Sequence, residues 1–315
     1  MKNFGNDMYA LWQMVVRSFK IFLKDRMSVF FSLLAPLIVL MLYVLFLGDM
    51  QLDSVKNILP PSPGIPESTL KAFVDSWMIA GVMGVSCITV SMSANAVMIQ
   101  DKARGVINDS LSSPVKRWVI TASYFVYNFL VSVTICTVVY GAGLIYLAVA
   151  GDFYLTLGDI ALGLGAMLLS VISATMISMA IAVFFRSEAA LSAFNGIVSA
   201  VSGFLIGAYM PVSAFPEGVQ YTVAFVPGSY SAGLFRNIFM RGALDKIGES
   251  APEPAVKALS DAFSLKIEFF DYSLGTDAMW VILAASALLF AAVNLAFSYR
   301  GKIRIKIKNK SEKKV

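Results

Sequence analysis

The sequence predicts an all-α, polytopic membrane protein with six transmembrane helices, and composition and hydropathy are the reasons. Of the 315 residues, 58% are hydrophobic and 14% charged, with a mean hydropathy of +0.74; a soluble domain carries about 25% charged residues. About 20 apolar residues cross a bilayer as a helix. Six apolar stretches without a charged residue are long enough: Met27–Gly48, Ser76–Gln100, Trp118–Gly151, Ile160–Phe185, Ala189–Pro216 and Ala278–Tyr299.

The same composition argues against catalysis and against gradient-driven transport by this chain alone. Proton-driven carriers usually keep a carboxylate or another ionisable group at mid-membrane, and the six stretches contain no charged residue. The chain has no histidine, and both cysteines, Cys87 and Cys136, lie inside apolar stretches, which disfavours a metal site or a disulfide. No phosphate-binding glycine motif occurs. We therefore expect no catalytic residue, metal or cofactor in this chain, and no nucleic-acid partner.

The distribution of lysine and arginine predicts that both termini are cytoplasmic. Basic residues concentrate in cytoplasmic loops, and with the N-terminus inside, most of the 25 basic residues fall on that side. The chain is then a multi-pass protein of the cytoplasmic membrane. Residues 300–315 form a basic tail, whose attraction to anionic lipid is about 1 kcal/mol per basic residue.

The first 26 residues are predicted to hold an amphipathic helix. Apolar residues recur at helical spacing over 4–23, whereas Asp7, Gln13, Arg17, Lys20 and Lys24 occupy other faces. Such a helix lies in the cytoplasmic interface as an elbow; the alternative is that it only leads into the first span. The chain thus divides into residues 1–26, a six-helix membrane domain over 27–299, and the tail.

Prolines divide the segments outside the six stretches. Pro60, Pro61, Pro63 and Pro66 argue against a regular helix in the outer loop over 49–75. In the apolar run 210–240, Pro211, Pro216 and Pro227 predict two short helices after the fifth span that re-enter the outer side. The remaining segment, 241–277, completes the outer re-entrant and loop region over 210–277 and is expected to be a loop with one short helix.

Small residues in the fifth stretch suggest close packing. Ser199, Gly203 and Gly207 follow one another at four-residue steps, which places them on one helix face and lets another backbone approach. Packing within the chain is one interpretation, and a dimer or pathway surface is the other.

The inner loop over 101–117 carries the most informative motif. The loop resembles that of permease subunits of ABC-2-type exporters, which reads acidic-basic-x-x-Gly-Thr-x-Glu-x-Leu-x-x-[Ser/Thr]-Pro. Asp101, Lys102, Gly105, Ser113 and Pro114 match in spacing. Val106 replaces the threonine and Asn108 the glutamate, with Asp109 beside it and Leu111 one place beyond the expected leucine.

A second segment, 209–236, resembles the region after the fifth helix of the same family. Its prolines are followed by Pro227-Gly228-Ser229-Tyr230. With the amphipathic start and the six spans, the resemblance extends over nearly the whole chain.

The resemblance implies a partner and a mechanism. In this family the inner loop forms a coupling helix that seats on a separate ATPase, and two ATPases, which hold ATP and magnesium, work with two permeases, the second being another copy or a homologue. The residues implied in coupling are Asp101, Lys102, Arg104, Gly105, Asn108, Asp109, Leu111 and Pro114. The residues implied in the re-entrant outer segment are Pro211, Phe215, Pro216, Pro227 and Tyr230.

The resemblance also implies a substrate path at the permease dimer interface, near spans 1, 2 and 5. An uncharged path suits amphipathic, lipid-like, drug or peptide substrates, and the family also exports glycans. The alternatives are a stand-alone gradient-driven carrier or channel, and a membrane scaffold or sensor. For 101–117, the alternative is a solvated basic loop.

Overall fold

The computed structural model describes residues 2–59, 65–150, 153–269 and 272–312, and the fold is helical apart from one hairpin. A π-helical turn over Tyr43–Leu47 and a 3-10 turn over Val212–Ala214 join longer elements. The strands β1 (Ile267–Phe269) and β2 (Tyr272–Leu274) pair antiparallel. The helices are α1 (Lys2–Lys24), α2 (Arg26–Leu42), α3 (Gly48–Ile58), α4 (Glu67–Ala94), α5 (Ala96–Ala103), α6 (Val106–Ser112), α7 (Arg117–Ala150), α8 (Leu157–Ala182), α9 (Glu188–Leu205), α10 (Glu217–Ala224), α11 (Pro227–Phe239), α12 (Arg241–Gly248), α13 (Glu253–Ala262) and α14 (Thr276–Glu312).

The predicted all-α, polytopic class is confirmed. Within the described residues, five helical segments are long and apolar enough to cross a membrane: Glu67–Ala103, Arg117–Ala150, Leu157–Ala182, Glu188–Leu205 and Thr276–Ser298. The first apolar stretch forms the shorter α2, which contains Pro36, and then the π-helical turn. A six-span count therefore stays a prediction. Helix α14 continues to Glu312, and the side chains of the basic tail lie outside the described residues.

Helix α4 is the central element of the bundle. In its most apolar window 83% of the residues are buried, against 39% or less in the other four spanning helices. Small residues allow this: a Cβ added at Gly81 would lie 3.0 Å from Ala208, and one at Gly84 would lie 3.0 Å from Ala232. Close backbone approach of this kind is how helices associate in lipid.

A buried polar network ties α4 to α7 and α8. Asn95 Nδ2 donates to Ser178 Oγ at 2.9 Å, and Asn128 Nδ2 donates to the Ser91 carbonyl at the same distance. Thr175 Oγ1 donates to Asn128 Oδ1 at 3.3 Å. The asparagines of the spans therefore hydrogen-bond between helices of this chain.

The run 210–240 forms two short helices, as the prolines predicted, but the second is not peripheral. Helix α11 begins with Pro227 and is buried over nearly its whole length, packed against α4, α8 and α14. Phe235 and Phe239 are among the most buried large side chains. Since all its sides meet protein, α11 belongs to the bundle core.

Two segments that were predicted to be mainly loops contain more regular structure than expected. The outer loop over 49–75 is mostly helical, because α3 occupies Gly48–Ile58 and α4 begins at Glu67, after Pro66 in extended conformation. Pro60, Pro61 and Pro63 lie outside the described residues. The segment 241–277 holds α12, α13 and the hairpin rather than one helix. Pro252 and Pro254 start α13 instead of breaking it, since proline is tolerated in a first helical turn.

The early start of α4 brings a carboxyl group inside a spanning helix. Asp75 lies just before the predicted stretch and is 2% exposed in the structure. Tyr43 Oη donates to its carboxylate at 2.6 Å, and Tyr146 Oη lies 3.4 Å from the same oxygen. The spanning helix α4 therefore contains a carboxyl group, although the predicted stretch Ser76–Gln100 contains no charged residue.

The small-residue stripe in the fifth stretch is not one helix face, which corrects the prediction. Helix α9 ends at Leu205, and Gly207 adopts a left-handed φ of 72° that favours glycine. A Cβ at Gly203 would overlap the ring of Tyr209, so this glycine accommodates a side chain of its own chain. Ser199 remains on α9, where it lines a groove.

We predict that packing at Gly242 contributes to stability. A Cβ there would overlap the backbone carbonyl oxygen of Tyr154, which cannot rotate away. Gly242→Ala should destabilise the protein by about 1–3 kcal/mol and lower its Tm by several degrees in detergent. The matched control is Gly218→Ala in α10, where a Cβ meets nothing within 4 Å; it should be neutral or slightly stabilising. Equal Tm values for the two variants would contradict this packing.

Candidate functional site

The loop over 101–117 folds into a short helix across one end of the bundle. Helix α5 continues α4 to Ala103, Gly105 turns the chain with a left-handed φ of 79°, and α6 follows over Val106–Ser112. Any residue with a Cβ is strained in that conformation, which explains the glycine. The loop is therefore structured, with a helix lying between α5 and α7.

Helix α6 has an anchored face and a free face. Ile107 and Leu111, four residues apart, pack against a cluster that includes Ile120, Tyr124 and Met179. On the other side, Asn108 and Asp109 are exposed, as is Arg104 just before the helix. The side chains of these three residues make no hydrogen bond or ion pair within the described part of the chain. They form a small polar surface available to a partner.

Asp101 is not part of that surface. Its side chain is 2% exposed and accepts two hydrogen bonds of 2.7 Å from the guanidinium of Arg17 on α1. Tyr124 Oη donates a third hydrogen bond of 2.7 Å. The hydrogen bond to Asp101 raises the pKa of Arg17. Asp101, one of the residues that the resemblance implied in coupling, is thus buried, and it joins α1 to the loop.

A second ion pair joins the same two elements at the far side of α6. Lys116 Nζ donates to the carboxylate of Asp7, which is also largely buried. The two pairs thus bracket α6, one before it and one after it. Helix α1 and the loop are therefore joined by ion pairs on both sides of α6.

The predicted amphipathic helix is present as α1, and part of its apolar face packs on protein. Leu11, Val15 and Phe22 of α1 are buried against a cluster that includes Val119 and Tyr127 of α7. Met8, Trp12 and Leu23 remain about half exposed. Helix α1 is therefore part of the bundle on one side and presents apolar residues on the other.

The remaining predicted loop residues have structural contacts or are exposed. Lys102 Nζ donates to the Val183 carbonyl at 2.7 Å and to the Phe185 carbonyl at 2.8 Å, beyond the end of α8. Pro114 is exposed between α6 and α7. Lys102 therefore joins the loop to the turn between α8 and α9. Gly105 reverses the direction of the chain before α6, and Leu111 packs α6 on the bundle.

At the other end of the bundle, the predicted proline-rich segment positions α10 and α11. Pro211 is buried in the turn after α9, Pro216 precedes α10, and Pro227 is the first residue of α11. Tyr230 Oη donates to the Ala224 carbonyl at 2.6 Å and ties the two helices together. Phe215 is half-buried where the 3-10 turn ends.

A groove of about 520 Å³ lies between α2, the α4–α5 junction and α9. Its lining is mostly apolar, with Leu34, Ile38 and Tyr209, and includes Ser199 of the predicted stripe. Asn195 Nδ2 donates to Ser93 Oγ at 2.8 Å, and its Oδ1 is buried without a hydrogen-bond partner. An apolar groove with a few polar groups is typical of a site for an amphipathic molecule.

A smaller cavity of about 350 Å³ lies beneath α10, and Arg236 of α11 lines it. Arg236 is 1% exposed and was not singled out from the sequence. The signal was present, because Arg236 is the one basic residue in the otherwise apolar run 210–240. Asp7 and Arg17 were noted only as polar positions of an amphipathic helix, and their partners are far away in sequence.

One family model matches a continuous part of the chain that includes both α6 and α10. The family model described as ABC-2 type transporter matches residues 9–240, from α1 to the first residue after α11. No curated protein matches the chain. Permeases of this family are membrane components of transporters and typically work with an ABC ATPase. The match spans most of the chain, and the protein therefore belongs to the ABC-2 type transporter family.

Proposed function

We propose that this protein is the permease subunit of an ABC-2-type exporter that moves an amphipathic substrate outward. Two copies of a separate ATPase hold ATP and magnesium and drive two permeases, the second being another copy or a homologue. Six spans place both termini in the cytoplasm of the cell. The observation that carries the proposal is the exposed polar face of α6, with Arg104, Asn108 and Asp109. Two ion pairs join the same loop to helix α1.

The contacts of α6 support a coupling role. A push on its free face is received by Ile107 and Leu111, which pack on side chains of α7 and α8. The pairs Arg17–Asp101 and Asp7–Lys116 carry the same movement to α1. Because α5 continues the central helix α4, displacement of this unit reaches the middle of the bundle.

The groove between α2, α4–α5 and α9 supports the substrate class. Its apolar lining suits the acyl, aromatic or apolar peptide part of a substrate better than a glycan. Exposed apolar residues on α9, including Ile197, Val201 and Phe204, offer a surface for a second permease. With that second subunit in place, the groove becomes an enclosed path at the dimer interface.

We predict that reversing the charge of Asp109 weakens the ATPase complex. Asp109→Arg should lower the affinity for the ATPase about 10-fold, because it replaces a carboxylate on the free face of α6 with a longer side chain of opposite charge. The measurement is co-purification of the ATPase with the tagged chain from native membranes, followed by transport-coupled ATP hydrolysis. The matched control is Asp245→Arg, the same change at an exposed position on α12. Equal losses in both variants would contradict a specific contact.

We predict that the Arg17–Asp101 pair acts as one unit. Arg17→Gln and Asp101→Asn should each reduce transport per ATP hydrolysed, and the double variant should be no worse than the poorer single variant, because either change releases α1 from the loop. In thermal unfolding the coupling energy should be about 1 kcal/mol, since Arg17 is partly exposed. If the double variant instead loses as much transport per ATP hydrolysed as the two single variants lose together, the two side chains act independently.

The alternative of a stand-alone carrier has one structural observation in its favour, the buried carboxyl group of Asp75 with its tyrosine partners. The exporter proposal predicts that transport stops on ATP depletion, persists with an ionophore, and survives Asp75→Asn, because the amide can still accept the hydrogen bond from Tyr43. Substrate flux in native-membrane vesicles measures all three. Flux that needs the gradient and the Asp75 carboxyl, but not ATP, would establish the carrier instead.

A further inference from the structure

Arg236 is a buried cation that has no counter-ion among the described residues. It lies in the last turn of the bundle-core helix α11, and its side chain is 1% exposed. Among the described residues, no carboxylate lies within ion-pair distance of it. Removing an unpaired charge from water carries a large desolvation penalty. A chain that retains such a group needs compensation for it.

The protein compensates for only part of the guanidinium. Arg236 Nη2 donates to the carbonyls of Ile206 and Gly207, at 2.6 and 2.7 Å, at the end of α9. Within the described part of the chain, its Nε has no hydrogen-bond partner, and neither has Nε1 of Trp77, whose ring centroid lies 6.0 Å from the guanidinium carbon. The hydrogen bonds of Nη2 cap the C-terminal end of α9. They do not account for the two buried donors, Nε of Arg236 and Nε1 of Trp77.

Arg236, but not Trp77, lines a cavity large and polar enough for a small anionic group. The cavity of about 350 Å³ is lined by Arg236 together with the polar side chains of Ser213, Gln220, Ser229 and Ser264. Its apolar lining residues are Ile206, Val212, Val223 and Ile267. Three further lining residues, Asp261, Lys266 and Glu268, are exposed. Salt screens exposed charges more than buried ones. The buried Arg236 therefore contributes most to the electrostatic potential inside the cavity.

We propose that this cavity binds an oxyanion, the phosphate or carboxylate of a small molecule, with Arg236 as its counter-ion. Guanidinium groups bind both oxyanions through charge-assisted hydrogen bonds, and Nε is an unused donor. The oxyanion is either the headgroup of an amphipathic molecule or a free anion. The inference deepens the proposed function, because it names a charged group that the transported molecule carries.

The path of the chain connects this cavity with the apolar groove. The short segment after α9 contributes Ile206 and Val212 to the cavity and Tyr209 to the groove. One turn of the chain, with Gly207 in left-handed conformation, thus separates an apolar site from a cationic one. This arrangement matches a molecule with an apolar tail and an anionic head.

The test measures binding to the purified full chain in an uncharged detergent, by calorimetric titration and by ligand-induced shift of the Tm. The probes are oleoyl lysophosphatidate, oleate, the neutral monooleoylglycerol, and inorganic phosphate. We expect both anionic amphiphiles to bind at least about 10-fold more tightly than the neutral one. Inorganic phosphate that binds as tightly as lysophosphatidate would assign the site to a free anion; much weaker binding would assign it to a headgroup.

Variants locate the binding in the cavity. Arg236→Gln should weaken binding of the anionic probes at least about 10-fold, and Val212→Phe, which leaves the cation in place and fills the cavity, should do the same. The second variant decides the matter if the first does not fold. Lys257→Gln, which removes an exposed basic charge outside the cavity, is the control and should bind like the native chain.

The inference is overturned if inorganic phosphate does not bind and neither anionic amphiphile is preferred over monooleoylglycerol, or if the folded Arg236 and Val212 variants bind like the native chain. A loss in the Lys257 variant as large as that in the Arg236 variant would also overturn it, since binding would then follow net charge. The assay contains no ATPase. Failure of binding therefore leaves the coupling proposal untouched, and failure of coupling leaves the binding result standing.

Discussion

Burial of α4 on nearly all sides is the constraint on which the rest of the structure depends. Helices in lipid gain little from the hydrophobic effect when they associate, so close packing and hydrogen bonds hold them together. Gly81 and Gly84 bring α4 against the turn after α9 and against α11, and the network around Asn95 and Asn128 links it to α7 and α8. Because most other elements pack on α4, the two ends of the molecule are mechanically connected through it.

The two ends differ in how they treat buried charge. At the α6 end, the buried carboxylate of Asp101 accepts hydrogen bonds from Arg17 and Tyr124, which hold the loop on α1. At the α10 end, the buried guanidinium of Arg236 is satisfied only in part. A paired buried charge fixes a structure, whereas an incompletely paired one beside a cavity favours a ligand. This contrast underlies the separate proposals for coupling and for binding.

Prolines and glycines mark the transitions between these elements, each for a different physical reason. Pro227 can begin α11 because the first residues of a helix need no backbone donor. Gly105 and Gly207 turn the chain after α5 and after α9 through left-handed conformations that other residues adopt only under strain. The first turn exposes the polar face of α6, and the second separates the groove from the cavity. Local backbone chemistry therefore decides where both sites are formed.

The sequence alone determined the all-α membrane class, the amphipathic start, the two helices of 210–240 and the family, because each depends on local patterns of apolar length, helical spacing and proline position. Only the tertiary structure decided that Asp101 is buried, that Gly207 lies outside α9, and that Arg236 stands beside a cavity. Arg17 and Asp101 are 84 positions apart, and no local pattern reports which distant side chains meet. The same reason explains why the free face of α6 could be reduced to Arg104, Asn108 and Asp109 only once its packing was known.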